Sequence, residues 1–578
     1  MREDIYEPLS RYRDEFREKF AGLTAEKFEE LKTLSGIDEE SNRRLVETIK
    51  KLSVRKEKTE NRRAMWGTLS FLAGLAAAAG IIAVIYALVS ENADISEIRI
   101  HIITGGAVTA VSFLLLLFQW ILPAFRDADK KVKELENEIN EKRTQAYEQM
   151  APLNALFDWS ITAELIEKTV PRLQFDKFFT EARLHDLKES FGWEDAFNQP
   201  YSVVHSHSGV INDNPFVFAE LRRQEWQTKR YYGSLQIFWT ETIRDSEGRR
   251  RTVTRSQTLT AYVDKPVPVY INDKVLIYGN DAAPDLDFSR TPSDLSGESS
   301  GLWNSVKRAH RLNKLKKFAR NLDDDSDFTM MSNEEFELLF HAKDRNDEVG
   351  FRLLFTPLAQ QQMVNLLNDR ETGFGDDFCF FKDNKINIIT AAHLDQISFS
   401  HDPAQYRGYD CQAMRDHFQR YNERFFKAVY FALAPLLIIP LYQQTRTTRA
   451  IYGKTDDSHS SFWEHEALAN YYGDSRFEHP DCITQNILKA RCVSRDDSGC
   501  GTVEVEAHGF CGIQMLDYVN VYGGDGRFHA VPVEWTDYQP VSRTSYMTVK
   551  ENPAQEDIKE ENSGNLLRRS IYSYLHER

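Results

Sequence analysis

The chain contains two apolar runs close together, MWGTLSFLAGLAAAAGIIAVIYALV at Met65–Val89 and IHIITGGAVTAVSFLLLLFQWIL at Ile100–Leu122. A helix needs roughly 20 mostly apolar residues to cross about 30 Å of hydrocarbon, and each run is long enough. Neither run contains Asp, Glu, Lys or Arg. The alternative is a buried hairpin in a soluble core, but soluble core helices of this length are rarely apolar on every side. The stretch therefore predicts an N-terminal transmembrane helical hairpin at residues 64–125.

The charges that flank the two runs predict their orientation. Seven Lys and Arg residues lie between Lys50 and Arg63, and four lie between Arg126 and Lys133, whereas the loop at residues 90–99 has three acidic residues and one Arg. Cytoplasmic loops collect Lys and Arg. We therefore expect a multi-pass protein of the cell's inner (plasma) membrane, with the N-terminus and the main soluble region in the cytoplasm.

Composition limits the class of protein further. The chain has 578 residues, enough for several domains, and a formal net charge of −16, which argues against a nucleic-acid partner. Six cysteines in this length are too few for a disulfide framework. The partner that the sequence predicts most directly is the lipid bilayer.

Changes in residue pattern divide the chain into segments and predict an α+β fold, in which the hairpin precedes a large soluble region with two β-rich domains. The predicted segments are N-terminal cytosolic helices at 1–63, the hairpin at 64–125, a juxtamembrane helical segment at 126–199, a β-rich domain at 200–283, a linker with a basic amphipathic helix at 284–332, an α+β domain at 333–450, a C-terminal β-rich domain at 451–549 and a tail at 550–578.

Local signals predict several individual elements. Pro123 is expected to end the second apolar helix, because proline lacks the N–H that continues a helix. The other predicted elements are a β-hairpin formed by Gly233–Ile243 and Thr252–Val263, a strand at Val349–Phe355, a helix at Pro357–Asn368 that starts at Thr356–Pro357, and two strands at Phe378–Lys382 and Lys385–Thr390.

A third apolar run, FFKAVYFALAPLLIIPLY at Phe425–Tyr442, is short for a membrane span. It contains Lys427 and is interrupted by Pro435 and Pro440. A buried or membrane-leaning helix is therefore the preferred interpretation, and a third span is the alternative. The alternative matters because a third span would place everything after Tyr442 on the other side of the membrane.

Two motifs in the middle of the chain resemble those of a known family. FRLLFTPLAQQQM at Phe351–Met363 precedes FFKDNKINIIT at Phe380–Thr390, and both follow two apolar runs and a β-rich segment. This order resembles a bacterial membrane-protein family that carries a domain of unknown function (number 3137). The resemblance extends from the hairpin to the region near residue 400 and implies membrane anchoring and a cytosolic domain, but no chemistry. The matching residues are Arg352, Leu354, Thr356, Pro357, Met363, Phe381, Asp383, Asn384, Lys385 and Ile388.

Two His-x-x-Cys units provide the best candidate metal ligands. His479 and Cys482 form the first unit, and His508 and Cys511 form the second. Together they supply the two thiolates and two imidazoles of a tetrahedral zinc site, with Cys492 and Cys500 as alternative ligands. The tight Cys-x-x-Cys knuckles of common zinc modules are absent, so free buried thiols are the preferred interpretation and zinc is a secondary possibility. Disulfides become the better interpretation only if the third apolar run spans the membrane.

Three further groups have polar residues that suit chemistry. They are GFGDD at Gly373–Asp377, for which an ordinary loop is favoured over a metal or phosphate site; His205 and His207 with Asp213, for which exposed surface histidines are favoured over a small polar site; and Glu464 and His465 near His459, which have the composition of an acid–base pair but for which ordinary surface polar residues are favoured. The sequence contains no G-x-S-x-G, Walker A or H-E-x-x-H motif, so no catalytic residue is assigned.

The sequence therefore favours a membrane-anchored binding or scaffold protein that presents a large cytosolic α+β region at the inner membrane. A protein partner at that membrane and a homo-oligomer are both compatible with this interpretation. The alternative is a membrane-bound hydrolase or another enzyme that uses the C-terminal His/Cys cluster. Transport is poorly supported, because neither apolar run has an intramembrane acid or base.

Overall fold

The computed structural model describes residues 4–89, 99–193, 201–244, 249–293, 329–445, 459–496, 500–552 and 565–575. The predicted basic amphipathic helix within 284–332 lies outside these residues, as do residues 553–564 and 576–578 of the predicted tail. The described end of the tail, at residues 565–575, forms two strands. The chain forms two compact units. Unit 1 comprises Met1–Leu23, Trp159–Asp402 and Tyr421–Arg578, and unit 2 comprises Thr24–Asp158 and Pro403–Arg420.

Helices dominate the N-terminal third of the chain, and strands dominate much of the remainder. The helices are α1 (Pro8–Arg11), α2 (Arg17–Ser35), α3 (Glu39–Val89), α4 (Arg99–Leu116), α5 (Leu122–Asn154), α6 (Ile161–Thr169), α7 (Glu181–Phe191), α8 (Glu334–Phe340), α9 (Glu348–Leu354), α10 (Pro357–Asn368), α11 (Cys411–Leu437), α12 (Pro440–Gln444) and α13 (Phe462–Tyr472). The strands are β1 (Leu173–Phe175), β2 (Tyr201–Ile211), β3 (Asn214–Arg244), β4 (Arg250–Gly279), β5 (Phe288–Arg290), β6 (Phe378–Asp383), β7 (Ile386–Ala391), β8 (Ile487–Arg495), β9 (Cys500–Tyr522), β10 (Phe528–Glu551), β11 (Asn565–Arg568) and β12 (Ile571–Leu575).

Unit 2 is built on the predicted helical hairpin. Two helical stretches, Glu39–Val89 and Ile100–Asn154, are long and apolar enough to cross a membrane. Pro123 does not end the second stretch, so that prediction is wrong. A π-helical turn at Leu117–Ile121 precedes Pro123, and α5 begins at Leu122. The wider turn accommodates a residue that has no N–H, and the helix continues through it.

Small residues bring α3 and α4 into close contact. A Cβ atom added at Gly80 would lie 2.7 Å from the carbonyl oxygen of Gly106, and one added at Gly106 would lie 2.8 Å from that of Gly80. Only glycine permits this close approach of the two backbones. Farther along the hairpin, Ile49 and Leu52 of α3 pack against Ile139 of α5.

Unit 1 contains two antiparallel sheets. The seven-stranded sheet has the order β1-β2-β3-β4-β7-β6-β5, and the five-stranded sheet has the order β11-β12-β10-β9-β8. Strands of the predicted β-rich domain at 200–283 and of the predicted α+β domain at 333–450 therefore share one sheet, which the linear segmentation of the sequence does not reveal. The predicted hairpin, the helix at Pro357–Asn368 and the two strands around residues 383–385 are present.

The predicted strand at Val349–Phe355 is wrong, because α9 occupies this stretch. Asp347 caps the helix by accepting a hydrogen bond from the backbone N–H of Val349. Phe351 and Leu354 are buried, whereas Val349 and Leu353 are 70% and 57% exposed. Residues on the same face are therefore three or four positions apart, as in a helix. The Asp347 cap and the burial of one helix face together outweigh the β propensity of the local sequence.

The third apolar run belongs to the core of unit 1, in agreement with the preferred interpretation. It forms the end of α11, from Phe425 to Leu437, and continues into α12, and residues 428–439 are buried without exception. Aromatic side chains from the N-terminal residues cover it. Phe20 stacks on Phe426 with ring centroids 4.2 Å apart, and Tyr12 stacks on Tyr430 at 5.4 Å.

Two long β-ribbons extend beyond the sheets. Ribbon 1 is the part of the β3–β4 pair at residues 224–244 and 250–270, and ribbon 2 is the part of the β9–β10 pair at residues 509–522 and 528–541. Ile237 and Leu259 of ribbon 1 pack against Val531 and Val533 of ribbon 2. Gly233 lies where the ribbons touch, because a Cβ atom there would be only 1.9 Å from the carbonyl oxygen of Pro532.

Candidate functional site

The four predicted zinc ligands do not form a cluster. His508 and Cys511 are three residues apart on β9, and alternate strand residues point to opposite faces, so the two side chains diverge. Cys482 contacts Thr484 and Asn486, and the imidazole of His479 lies beside Asp481. Among the described residues, no three His, Cys, Asp or Glu side chains are grouped so that they would hold a metal ion. The cysteines of the described chain are free thiols.

The GFGDD loop is held by protein groups. Asp376 pairs with the guanidinium of Arg290 and accepts a hydrogen bond from the backbone N–H of Ser293. Asp377 lies 2.6 Å from Nδ1 of His393, whose Nε2 lies 3.0 Å from the carbonyl oxygen of Ala428. Both ring nitrogens of His393 thus contact acceptors. The two aspartates join the loop to a strand and to α11, so the interpretation as an ordinary loop agrees with the structure.

Helix α13 contains three consecutive buried ionisable residues, Glu464, His465 and Glu466. Glu464 accepts hydrogen bonds from Arg568 at 2.9 Å, from Arg569 at 2.8 Å and from the backbone N–H of Phe179 at 2.8 Å. The favoured prediction of surface polar residues is wrong, because Glu464 and His465 are both buried. The carboxylate of Glu464 accepts from two guanidinium groups, so it does not form an acid–base pair with His465. Its role in this geometry is to neutralise buried positive charge.

His465 contacts a different set of residues. The hydroxyl of Ser460 donates to Glu551 at 2.6 Å, so the oxygen of Ser460 accepts from Nε2 of His465 at 3.0 Å. Burial lowers the pKa of His465 to about 4, so the ring is neutral near pH 7. The Ser460 proton is directed to a carboxylate rather than to the imidazole, and this order differs from a nucleophilic serine paired with a histidine base. His459, the third residue of the predicted group, contacts Glu551 at 3.0 Å.

Glu466 connects the two sheets. One carboxylate oxygen lies 2.7 Å from the ammonium of Lys489 on β8, and the other accepts from the backbone N–H of Val203 on β2 at 3.0 Å. Burial raises the pKa of Glu466 despite the nearby ammonium. A cavity of about 410 Å³ lies beside this pair and is lined also by His465, Arg491 and Cys492. The thiol of Cys492 donates to the carbonyl of Ser494, so no thiol–histidine pair is assembled there.

The histidine pair of β2 is partly or fully buried rather than exposed. His207 contacts the carbonyl oxygen of Phe399 at 2.7 Å, and its ring lies 4.6 Å from the ring of His401. Desolvation holds the pKa of His207 well below its usual value and lowers that of His401 to about 3. Asp213, predicted to join the pair, lies in the β2–β3 turn, six residues from His207 and therefore about 20 Å away along an extended strand.

The exposed surface of the two ribbons is a feature that the sequence patterns did not predict. On ribbon 2, four large apolar or aromatic residues that alternate with the valines are exposed: Leu516 by 45%, Tyr518 by 65%, Tyr522 by 61% and Phe528 by 72%. Ribbon 1 adds Tyr232 and Phe238, exposed by 72% and 64%. The signal in the sequence is the alternation at residues 515–522, in which both faces have apolar residues. A strand with one solvated face has polar residues there instead.

Among the described features, the exposed ribbon surface suits binding best. The buried polar groups of α13 instead connect the elements of unit 1.

No protein-family model, curated protein or solved structure has a significant similarity to this chain.

Proposed function

We propose that this chain is a membrane-anchored binding or scaffold protein. Residues 65–89 and 100–122 cross the inner membrane as a hairpin, and both ends of the hairpin face the cytoplasm, as the flanking Lys and Arg residues predict. Unit 1 is the cytosolic region that meets a protein partner. In this proposal the exposed residues around Leu516 and Tyr518 of ribbon 2 provide the contact surface.

The observation that carries the proposal is the outward direction of the apolar side chains on α3 and α4. In the most apolar windows of the two helical stretches, only 22% and 6% of the residues are buried. Each buried methylene group contributes about 0.8 kcal/mol, so this exposed surface would be strongly unfavourable in water and is favourable in hydrocarbon. Examples are Phe71, Ile82, Val89, Val108, Phe118 and Trp120, each more than 45% exposed.

Anchoring supports binding by raising the local concentration of the ribbons. A partner on the same membrane meets a tethered surface at an effective concentration set by the tether, which strengthens weak contacts without new interactions. The exposed aromatic residues of ribbon 2 are of the kind enriched at protein interfaces. The enzyme alternative has no comparable support, because the His/Cys cluster that it requires is not assembled in the described part of the chain.

Extraction of membranes at alkaline pH tests the anchoring. We expect the full chain to remain in the membrane pellet, and the double variant Ile82→Asp with Val108→Asp to be released. A matched control places the same charges at two exposed apolar positions of unit 1, Val349→Asp and Leu353→Asp, and should stay in the pellet. Release of the unmodified chain would contradict the proposal.

Thiol labelling in intact cells tests the orientation. Variants that keep one cysteine, Cys379 or Cys500, should react with a membrane-impermeant maleimide only after the membrane is opened. Labelling of either residue in intact cells would place that part of unit 1 outside and would overturn the proposed cytosolic location.

Photo-crosslinking tests the scaffold role. A photoreactive amino acid in place of Tyr518 should form one dominant adduct in cells, and the same amino acid at Glu189 on α7 should not. Equal adduct patterns at the two positions would show that the ribbon has no specific partner.

A further inference from the structure

The end of ribbon 1 extends past the end of ribbon 2. The backbone N–H of Gly524, in the turn of ribbon 2, donates to the side chain of Gln257, which is paired with Ile237. Beyond this point seven further cross-strand pairs continue, from Phe238 with Ser256 to Arg244 with Arg250. We name residues 238–244 and 250–256 the free hairpin.

Beyond Trp239, whose side chain packs against ribbon 2, no other element covers the free hairpin in the described part of the chain. Most of its residues are exposed, for example Thr240 and Thr242 on one face of the ribbon and Glu241 and Arg251 on the other. A two-stranded hairpin without a packed face is marginally stable in water. Because its strands nevertheless pair regularly up to Arg244, we infer that a binding partner outside unit 1 covers this hairpin.

The charge of the free hairpin indicates the nature of that surface. Arg244 and Arg250 lie directly opposite each other, and Arg251 follows. Like charges in this position destabilise a strand pair. Among the described residues these three arginines have no ion-pair partner, whereas Arg255 is paired with Glu241 at 2.7 Å. The sequence from 238 to 256, which includes Asp245 and Glu247, has five arginines and three acidic residues in a chain of net charge −16.

Apolar side chains lie among these arginines and at the adjoining end of ribbon 2. Phe238 is 64% exposed and Ile243 is 36% exposed. Tyr522 and Phe528, the last pair of ribbon 2, are 61% and 72% exposed, with ring centroids 5.2 Å apart. Cationic and aromatic side chains together suit the boundary between headgroups and acyl chains of an anionic bilayer.

We propose that the free hairpin and the end of ribbon 2 bind the surface of an anionic membrane, as a contact additional to the transmembrane helices. The choice of lipid over other polyanions rests on the proposed membrane anchoring. Guanidinium groups contact the phosphates, and Phe238, Tyr522 and Phe528 enter the headgroup region.

Flotation of the full chain with vesicles tests this contact separately from the anchor. The protein is first placed in zwitterionic phosphatidylcholine nanodiscs, which hold the apolar helices. Vesicles of phosphatidylcholine with phosphatidylglycerol are then added, and the nanodisc fraction that floats with them is measured at low and high salt. We expect flotation with these vesicles and not with phosphatidylcholine alone, and a loss at high salt.

Two variants sharpen the test. Arg250→Ser with Arg251→Ser should weaken vesicle binding by about tenfold or more, since each basic residue near an anionic surface contributes about 1 kcal/mol. Arg250→Glu places opposite charges across from each other, so it should favour the hairpin pairing and still weaken binding to vesicles. The control, Arg43→Ser with Arg44→Ser on the exposed surface of α3, changes the net charge equally and should bind as the unmodified chain does.

The outcomes separate the two proposals. A chain that does not enter nanodiscs contradicts the anchoring, and its vesicle binding is then compared directly between the Arg250/Arg251 and Arg43/Arg44 variants. A chain that enters nanodiscs but binds anionic vesicles equally in both variants contradicts the lipid contact. Binding of a single-stranded oligonucleotide that depends on Arg250 and Arg251, without vesicle binding, would replace lipid by nucleic acid and overturn the proposal.

Discussion

The apolar hairpin of unit 2 and the apolar end of α11 in unit 1 have similar composition and opposite surroundings. Phe71, Ile82 and Val108 face outward from the hairpin, whereas residues 428–439 are all buried. The buried run is covered by aromatic side chains from the N-terminus. Apolarity therefore identifies a segment that avoids water, and the presence or absence of packing partners decides whether the protein itself covers that segment.

The largest expected effect breaks this contrast by adding one charge to each region. Leu433→Asp in α11 buries a carboxylate without a partner and should cost at least about 5 kcal/mol, enough to unfold unit 1. Ile82→Asp on the outward face of α3 should leave unit 1 folded and lower retention in the membrane. Denaturant unfolding and alkaline extraction of both variants measure the two effects, and a folded Leu433→Asp protein would contradict the assignment of α11 to the core.

The next effect concerns charges inside the water-excluded part of unit 1. Glu464→Gln leaves Arg568 and Arg569 without their shared carboxylate and should cost about 3–5 kcal/mol of the free energy of unfolding. Glu189→Gln, an exposed position on α7, is the control and should cost less than about 0.5 kcal/mol. Equal unfolding midpoints for the two variants would show that the buried pairing contributes no stability.

Acid should weaken unit 1 through its buried histidines. His401 lies 4.0 Å from Phe425 at the start of the buried run, and burial lowers its pKa to about 3 and that of His465 to about 4. These groups are neutral in the fold and bind protons after unfolding, so their contribution is full above pH 6.5 and is lost as the pH falls toward 4. Each contributes up to about 1.4 kcal/mol per pH unit in that window.

The variant His401→Phe isolates this contribution. It removes one titrating group and should reduce the slope of unfolding free energy against pH between 6.5 and 4, with little change in slope above pH 7. Denaturant titrations at several pH values measure the slope. A slope unchanged from that of the unmodified protein would contradict the neutral buried state of His401.

The smallest expected effect tests the close contact between α3 and α4 in the hairpin. Gly80→Ala places a methyl group against the backbone of Gly106 and should cost about 1–3 kcal/mol of helix packing. Gly74→Ala has no atom within 4 Å and should be neutral or favourable, since alanine is the better helix former. Thermal unfolding in nanodiscs compares the two, and equal stabilities would argue against the close approach of α3 and α4.

Local sequence signals predicted those elements whose conformation depends on interactions between residues close together in the chain. Thr356 and Pro357 start α10 because the threonine hydroxyl accepts from the N–H of Ala359 and proline has no N–H to satisfy. These residues belong to the motif that resembles the family with the domain of unknown function, and their geometry shows a structural role. The apolar length of the hairpin is equally local.

Site predictions failed where they depended on direction or on distant partners. His508 and Cys511 have the spacing of a knuckle, but on a strand that spacing separates the two side chains. Glu464 and His465 are neighbours in sequence, yet the first contacts arginines more than 100 residues away and the second contacts Ser460. Residue identity does not reveal such partners, because the arginines come from the end of strand β11, far away in the sequence.

The sequence by itself determined where apolar helices form, how long they are and which charges flank them, because these properties depend on side chains within a few helical turns. The tertiary structure decided that α11 is buried, that strands before and after residues 294–328 share one sheet, and that ribbon 2 has an exposed aromatic face. These results depend on which surfaces meet after long-range pairing. The free energy of burying a side chain depends on that neighbour as much as on the side chain itself.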